Sequence, residues 1–248
     1  MITNNQYIDK LLTENKFTDK NGKIINIAET SINSLKAGVI TQLISSGKLK
    51  QAVEVGCAYG ISSAVICQAI KENGGGVNHI IDPFQKEQWA NEGLRNLERA
   101  GLTNFTHIAE KSEYALPDLA KSELSVDFAF IDGWHTFDHT LIDFFYINKM
   151  IRVGGVVVFD DCNWASIEKL IHYVNNYPCY KLVYPVVGNK KSLMRSFLNR
   201  VAKISPSKYR NLIFSSFVIE DKSQIKSSIV AFEKTAVDTR SYDWFVNF

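Results

Sequence analysis

Short apolar runs rich in Val, Ile and Phe alternate along this chain with longer stretches in which apolar residues recur every three or four positions. The first pattern is that of strands covered on both faces, and the second that of amphipathic helices. Seven runs are predicted as strands: QAVEV (51–55), NHIID (78–82), NFTHIA (104–109), VDFAFID (126–132), GVVVFD (155–160), YKLVYPV (180–186) and SSIVAFEK (227–234). Helical spacing falls between them, over about 61–73, 86–101, 112–121, 136–151 and 164–176. This alternation predicts an α/β fold built on a doubly wound, mostly parallel seven-stranded sheet with right-handed crossovers.

The two ends of the pattern differ from its middle. No core-facing crossover helix is evident before the seventh strand, so that strand is expected to be antiparallel. Residues 1–50 carry two or three further helical patterns. The clearest, SINSLKAGVITQLISSG (31–47), places Leu35, Val39, Ile40 and Leu43 on one face and is expected to pack beside the first strand. The expected organisation is an N-terminal helical extension over 1–50 and a domain over 51–248 interrupted by an insertion at about 187–226.

Composition narrows the class. With 248 residues, 46% of them hydrophobic, the chain can bury one sizeable core. Lys+Arg 28 against Asp+Glu 26 leaves a net +2, which gives no general attraction to nucleic acid. Cys57, Cys67, Cys162 and Cys179 form no CxxC pair and are expected to be reduced. The polar first residues and the lack of any apolar run near ~18 residues predict a soluble, cytoplasmic protein without a membrane span. One local excess stands out. Lys190, Lys191, Arg195, Arg200, Lys203, Lys208 and Arg210 fall in a stretch without acids, and Leu193, Met194, Phe197, Leu198 and Val201 are helically spaced among them. This predicts a basic amphipathic helix over 190–210. It could be simply packed with a solvated face, or could contact an anionic acceptor, a partner or a membrane surface. The aromatic C-terminal SYDWFVNF could pack across a homodimer or close the chain's own sheet.

Ligands of doubly wound sheets bind outside the carboxyl ends of the strands. After the first strand the chain reads Glu54, Val55, Gly56, Cys57, Ala58, Tyr59, Gly60, Ile61, Ser62, Ser63. Gly56 and Gly60 suit a tight strand-to-helix turn that lets backbone approach a ligand, or simply the turn itself. Their spacing is not GxGxxG, and Glu54 would repel a pyrophosphate, so a cationic or zwitterionic ligand fits better. Asp82, ending the second strand, stands where such folds hydrogen-bond a ribose diol, or it caps the next segment of chain.

AVEVGCAYGISSA, together with Asp82 and the later strand ends, resembles the class I S-adenosylmethionine-dependent methyltransferases over about residues 50–186. That resemblance implies a Rossmann-like fold and S-adenosylmethionine as cofactor. Glu54 would hold its amino-acid portion indirectly, Gly56, Ala58 and Gly60 would form the close loop, and Ser62 would contact its carboxylate. Asp82 would take the ribose, with Ser112 beside the adenine and Asp132 at the next strand end. Ser112 reads equally well as a plain helix N-cap.

Two apolar strands then end in carboxylates: Asp132 after AFI, and Asp160 and Asp161 after VVVF. Carboxylates gathered on one sheet edge repel, so something positive is expected among them. Three oxygen donors suit a hard divalent cation, Mg²⁺ foremost. FIDG with GGVVVFDDCNW resembles the metal-dependent catechol and caffeoyl-CoA type O-methyltransferases. DGWHTFDH is closer to bacterial methyltransferases of sugars and natural products. The metal ligands implied are Asp132, Asp160 and Asp161. His135, three residues after Asp132, is the candidate general base, or a structural hydrogen-bonder, with His139 in support. Asp138 and Asp143 are read as capping and solvent-facing. Tyr59, Trp134 and Trp164 either wall the pocket or belong to the core.

The expected activity is transfer of a methyl group to a hydroxyl of a small molecule, a sugar or glycosylated metabolite, with metal assistance. The alternatives are a metal-independent methyltransferase and a non-catalytic nucleotide-binding module with a basic docking helix.

Overall fold

The computed structural model describes residues 2–185 and 227–247. Its centre is a seven-stranded sheet. The strands are β3 (Gln51–Val55), β4 (Val77–Ile81), β5 (Phe105–Ile108), β6 (Val126–Ile131), β7 (Ile151–Asp160), β8 (Tyr180–Tyr184) and β9 (Ile229–Lys234), in the order β5-β4-β3-β6-β7-β9-β8. Neighbours from β5 to β7 pair in parallel, whereas β9 runs antiparallel to both β7 and β8. All seven predicted strands are present, and the predicted reversal of the last one is observed. The predicted basic helix over 190–210 lies outside the described residues.

Alternate strand residues feed two cores. Ala52, Ile80, Phe128, Phe130, Val158 and Ala231 pack beneath the helices α1 (Gln6–Glu14), α2 (Ser34–Gly47), α3 (Ile61–Glu72) and α4 (Glu92–Arg99). Val53, Ile81, Ala129, Ile131, Val157, Phe159 and Phe232 pack on the other face. There they meet α5 (Ser112–Lys121), α6 (Phe137–Met150) and α7 (Ala165–Val174). The period-two alternation of side chains is what lets one apolar strand serve both layers.

Residues 2–50 depart from the expected run of helices. Only α1 and α2 are helical, and between them β1 (Lys16–Thr18) and β2 (Ile24–Asn26) form an antiparallel hairpin. Asp19 closes its turn by accepting from the backbone N–H of Asn21 and Lys23, and Gly22 takes φ +83°. The buried face of α2 is Ala37, Ile40 and Ile44, while Leu35, read as core, is exposed. The helix packs beside α3 and buries that face in the same core as the sheet. Predicted helix 86–101 shortens to α4, because Ala90 and Asn91 take left-handed backbone angles that interrupt the helix.

The C-terminal segment folds back on its own chain. Arg240 lies over the rings of Tyr177 and Trp244 at 3.6 and 4.6 Å, and its guanidinium is paired with Asp238 at 2.8 Å. Among the described residues no helix is long and apolar enough to cross a membrane, and all four cysteines are free thiols.

Lys234 is a buried cation in a strand, and its neighbours explain it. α6 runs straight into β7, which leaves carbonyls at the junction without helical donors. The Lys234 ammonium donates to the carbonyls of Asn148 and Ile151 at 2.6 and 3.0 Å. Replacing Lys234 with Met is expected to lower the unfolding free energy by about 1–3 kcal/mol, read from chemical denaturation. A change near zero would mean that these carbonyls find other donors.

Candidate active site

The strand order reverses between β3 and β6, and at that switch point the loops after the two strands part to form a crevice. A cavity of about 540 Å³ opens there. Its walls include Gly56, Cys57, Ala58 and Ser62 after β3, Asp82 and Phe84 after β4, Ser112 at the start of α5, and Asp132, Trp134 and His135 after β6. Thr30, Ser31 and Ile32, from the segment ahead of α2, complete it.

Gly56 is required by contact as well as by angle. At φ +91° a Cβ on it would fall 2.1 Å from the Asp132 carbonyl oxygen, so the two loops can meet only where no side chain intervenes. Gly60 at φ +78° is held as tightly, against the Gly93 carbonyl. Asp82 anchors the turn between them. Its Oδ2 accepts from the N–H of Cys57 and Ala58 and from the Gln85 amide, and its Oδ1 accepts from the Phe84 N–H. Asp82 therefore shapes the loop while also bordering the cavity.

Glu54 does not border the cavity. It is fully buried beneath Ser62, whose hydroxyl donates to it at 2.6 Å, and Asn78 donates to its other oxygen at 2.7 Å. Burial pushes its pKa up to about 7, against the hydrogen bonds from Ser62, Ser63 and Asn78 that favour the charged form. Any influence on a ligand passes through the Ser62 hydroxyl, which is itself committed to Glu54.

The carboxylates after β6 and β7 divide into two sets. One is Asp132, His135 and Asp161, whose ligand-type atoms all lie within 4.8 Å of one another. His135 Nε2 stands 3.4 Å from Asp132 Oδ1 and 3.1 Å from Asp161 Oδ2, without a well-aligned hydrogen bond to either. The other is Asp160, which turns away. Its Oδ1 pairs with the ammonium of Lys36 at 2.5 Å, and Lys36 also reaches Asp161 at 3.4 Å. The expected trio Asp132, Asp160 and Asp161 therefore does not converge; His135 takes the place given to Asp160.

Electrostatics follow this division. The carboxylates of Asp132 and Asp161 push His135 up to about 10, outweighing its partial burial, and His135 in turn holds Asp161 below the usual carboxylate range. A histidine so placed is cationic at neutral pH, whereas the sequence reading gave it the ordinary pKa of a general base. Burial, then Asp132, push Asp160 up to about 7 against the pull of Lys36.

Two functional-site neighbours were missed from sequence. Asp143, read as solvent-facing, is buried under the loop after β6, and burial pushes it up to about 6 although Ser112 opposes the rise. Its spacing with Thr140, Phe144 and Ile147, all on the buried side of α6, was a legible signal. Lys36 carried no such signal, because its partner Asp160 lies far along the chain at the end of β7. Of the aromatics, Tyr59 packs edge-on with Phe17 and Trp89, away from the cluster. Trp164 lies against the His135 ring at 5.0 Å, and Trp134 is mostly exposed at the cavity wall. His139 also lines the cavity, with Nδ1 2.8 Å from the Thr136 hydroxyl.

Residues 53–162, which span every strand end described above, match a family described as "Methyltransferase domain". Over these residues the chain is similar to methyltransferase domains. The methyltransferase fold is shared with solved structures of low sequence identity. An O-methyltransferase from Bacillus cereus, in complex with SAH, is 17% identical with a TM-score of 0.59, covering 73% of this chain and 84% of that one. The O-methyltransferase TomG from Streptomyces achromogenes, in complex with SAM, is 15% identical with a TM-score of 0.55, covering 73% and 83%. No curated protein sequence matches the chain.

Two outcomes are expected of this site. Because folded Glu54 keeps its proton up to about pH 7 while the unfolded chain releases it near 4.5, the folded state binds more protons across that window. Stability contributed by Glu54 therefore falls as pH rises from about 4.5 to about 7. Denaturation of wild type and Glu54→Gln in parallel should show wild type losing ground to the variant over that range; a constant difference would mean that Glu54 ionises normally. Gly56→Ala should cost on the order of 2 kcal/mol or more in thermal or chemical unfolding, since its methyl cannot coexist with the Asp132 carbonyl. An unchanged midpoint would show that the two loops can separate.

Proposed function

We propose that this protein is an S-adenosylmethionine-dependent O-methyltransferase that acts, with a divalent cation, on a hydroxylated small molecule. The observation that carries the reading is the placement of Asp132 and His135 on the wall of the switch-point cavity, with Asp161 behind them. Methyl donor and acceptor oxygen can there be held side by side. The complexes of the Bacillus cereus enzyme with SAH and of TomG with SAM support the choice of cofactor.

The cavity fits such a cofactor. Its volume lies in the usual range for small-molecule sites, and its walls combine backbone at Gly56–Ala58 with the carboxylate of Asp82 and the apolar Ile32, Val55 and Phe84. When bound, S-adenosylmethionine supplies an electrophilic methyl on sulfur. The protein's part is to align acceptor oxygen and methyl for in-line displacement and to exclude water, which the loops after β3 and β6 and the 30–32 segment do by position.

The donor set of Asp132, His135 and Asp161 also fits a divalent cation. Two carboxylates suit Mg²⁺ or Mn²⁺, and the imidazole extends the choice toward Mn²⁺ and other borderline ions. Bound there, the cation would supply positive charge that weakens an acceptor O–H, so no strong protein base is needed. His135 must give up its proton to serve as a donor. In this reading it is a ligand, and the role of base assigned to it from sequence is withdrawn. Trp134 and Trp164, half or more exposed beside His135, offer flat apolar surfaces for a sugar or aromatic acceptor carrying neighbouring hydroxyls.

Chelator-treated protein should bind S-adenosylhomocysteine one to one in isothermal titration, and Mg²⁺ or Mn²⁺ should stimulate methyl transfer to vicinal diols. Asp161→Ala should keep that binding within a few-fold and lose about 10²-fold or more of the metal-stimulated rate. Failure of folded wild-type protein to bind S-adenosylhomocysteine overturns the cofactor; full activity in chelator overturns the metal.

A further inference from the structure

We infer that Lys36 is a resident cation that withholds Asp160 from the metal-binding set, so that the N-terminal segment fixes which ligands a divalent ion meets. The inference rests on the metal reading above and extends it to a residue outside the matched domain. Asp160 and Asp161 are adjacent at the end of β7, and either could face the crevice. What separates them is their partners. Asp161 takes a left-handed backbone angle (φ +49°) and presents Oδ2 to His135, while its N–H donates to Asp160 Oδ1 at 2.7 Å. That same Asp160 oxygen receives the Lys36 ammonium, with side-chain exposures of 3% for Asp160 and 12% for Lys36. A buried pair of this kind is held by mutual need, because losing either partner leaves an uncompensated charge.

Lys36 is also placed to act on the whole cluster. It stands 3.4 Å from Asp161 as well, so a divalent ion entering beside Asp161 meets a fixed positive charge a few ångströms away. Such a charge opposes a second cation more strongly than any exposed lysine would, since water screens it poorly. Lys36 thus acts as a positioning residue through Asp160 and Asp161. It restricts the site to Asp132, His135 and Asp161, and it lowers affinity for the ion. The backbone that carries it is the continuation of Thr30, Ser31 and Ile32 on the cavity wall, so ligand pocket and counter-ion belong to one segment.

The test is Mn²⁺ binding, followed by the electron paramagnetic resonance of the free ion, on chelator-treated full-length protein. Wild type, Lys36→Gln, Asp160→Asn and the double variant are compared, with S-adenosylhomocysteine binding and thermal melting as checks on folding. Lys36→Gln keeps a hydrogen-bond donor for Asp160 but removes the charge, and should bind Mn²⁺ about tenfold tighter or more. Asp160→Asn alone leaves the Lys36 charge uncompensated beside Asp161 and should weaken binding. The double variant Lys36→Gln/Asp160→Asn, in which both charges are gone, should bind within about threefold of wild type or tighter, because Asp160 is not a ligand. A loss of about tenfold or more in the double variant overturns the inference, and so does unchanged or weaker binding by folded Lys36→Gln. Should Lys36→Gln not fold, the double variant alone decides. If wild type binds no Mn²⁺ but Lys36→Gln does, metal assistance fails and the role of Lys36 stands. If neither binds, both fail.

Discussion

Negative charge gathered at one edge of the sheet is the constraint on which the rest of the site depends. Glu54, Asp82, Asp132, Asp160 and Asp161 all stand at or next to the carboxyl ends of parallel strands, on the edge that bears the crevice. Left to themselves they would repel one another and resist burial. Each is satisfied differently: Glu54 by hydroxyl and amide donors, Asp82 by backbone N–H groups, Asp132 and Asp161 by a shared imidazole, Asp160 by a lysine. The parallel architecture assists all of them, because the helices that come after the strands start at this edge and direct their positive ends toward it.

These different solutions give the carboxylates different chemistry. A carboxyl wrapped in neutral donors, such as Glu54, is stiff and can change its protonation near neutrality. A carboxylate paired with histidine is exposed enough to meet a second ligand. A carboxylate locked to a buried lysine is withdrawn from exchange altogether. One sheet edge thus separates scaffold, candidate metal donor and silent counter-charge among residues of the same kind.

The sheet was legible because its strands obey a simple period and because each ends in recognisable punctuation, such as Gly56 or Asp132. Positions along the wall of the crevice were legible for the same reason, since topology alone brings strand ends together. What sequence could not supply was rotation and long-range pairing. The hairpin of residues 16–26 has strands of three residues, too short for a period to register. The buried stripe of α2 is Ala37, Ile40 and Ile44, a rotation from the expected face that leaves Leu35 exposed. Asp160 and Asp161 are indistinguishable as adjacent letters, and only the lysine arriving from α2 tells them apart. His135 likewise looked like an ordinary titrating histidine until two carboxylates were found beside it.

The reach of the N-terminal segment bears on where this protein's functional unit begins. The recognisable domain starts at residue 53, yet Ile32 lines the cavity and Lys36 neutralises the carboxylate at the end of β7. Ile8, Leu11, Ile40 and Ile44 share a core with α3 and the sheet. A piece cut at the border of sequence similarity would retain the strand ends but expose apolar core and strand a buried carboxylate without its cation. Sequence similarity marks only part of this molecule; physical completeness demands more of the chain.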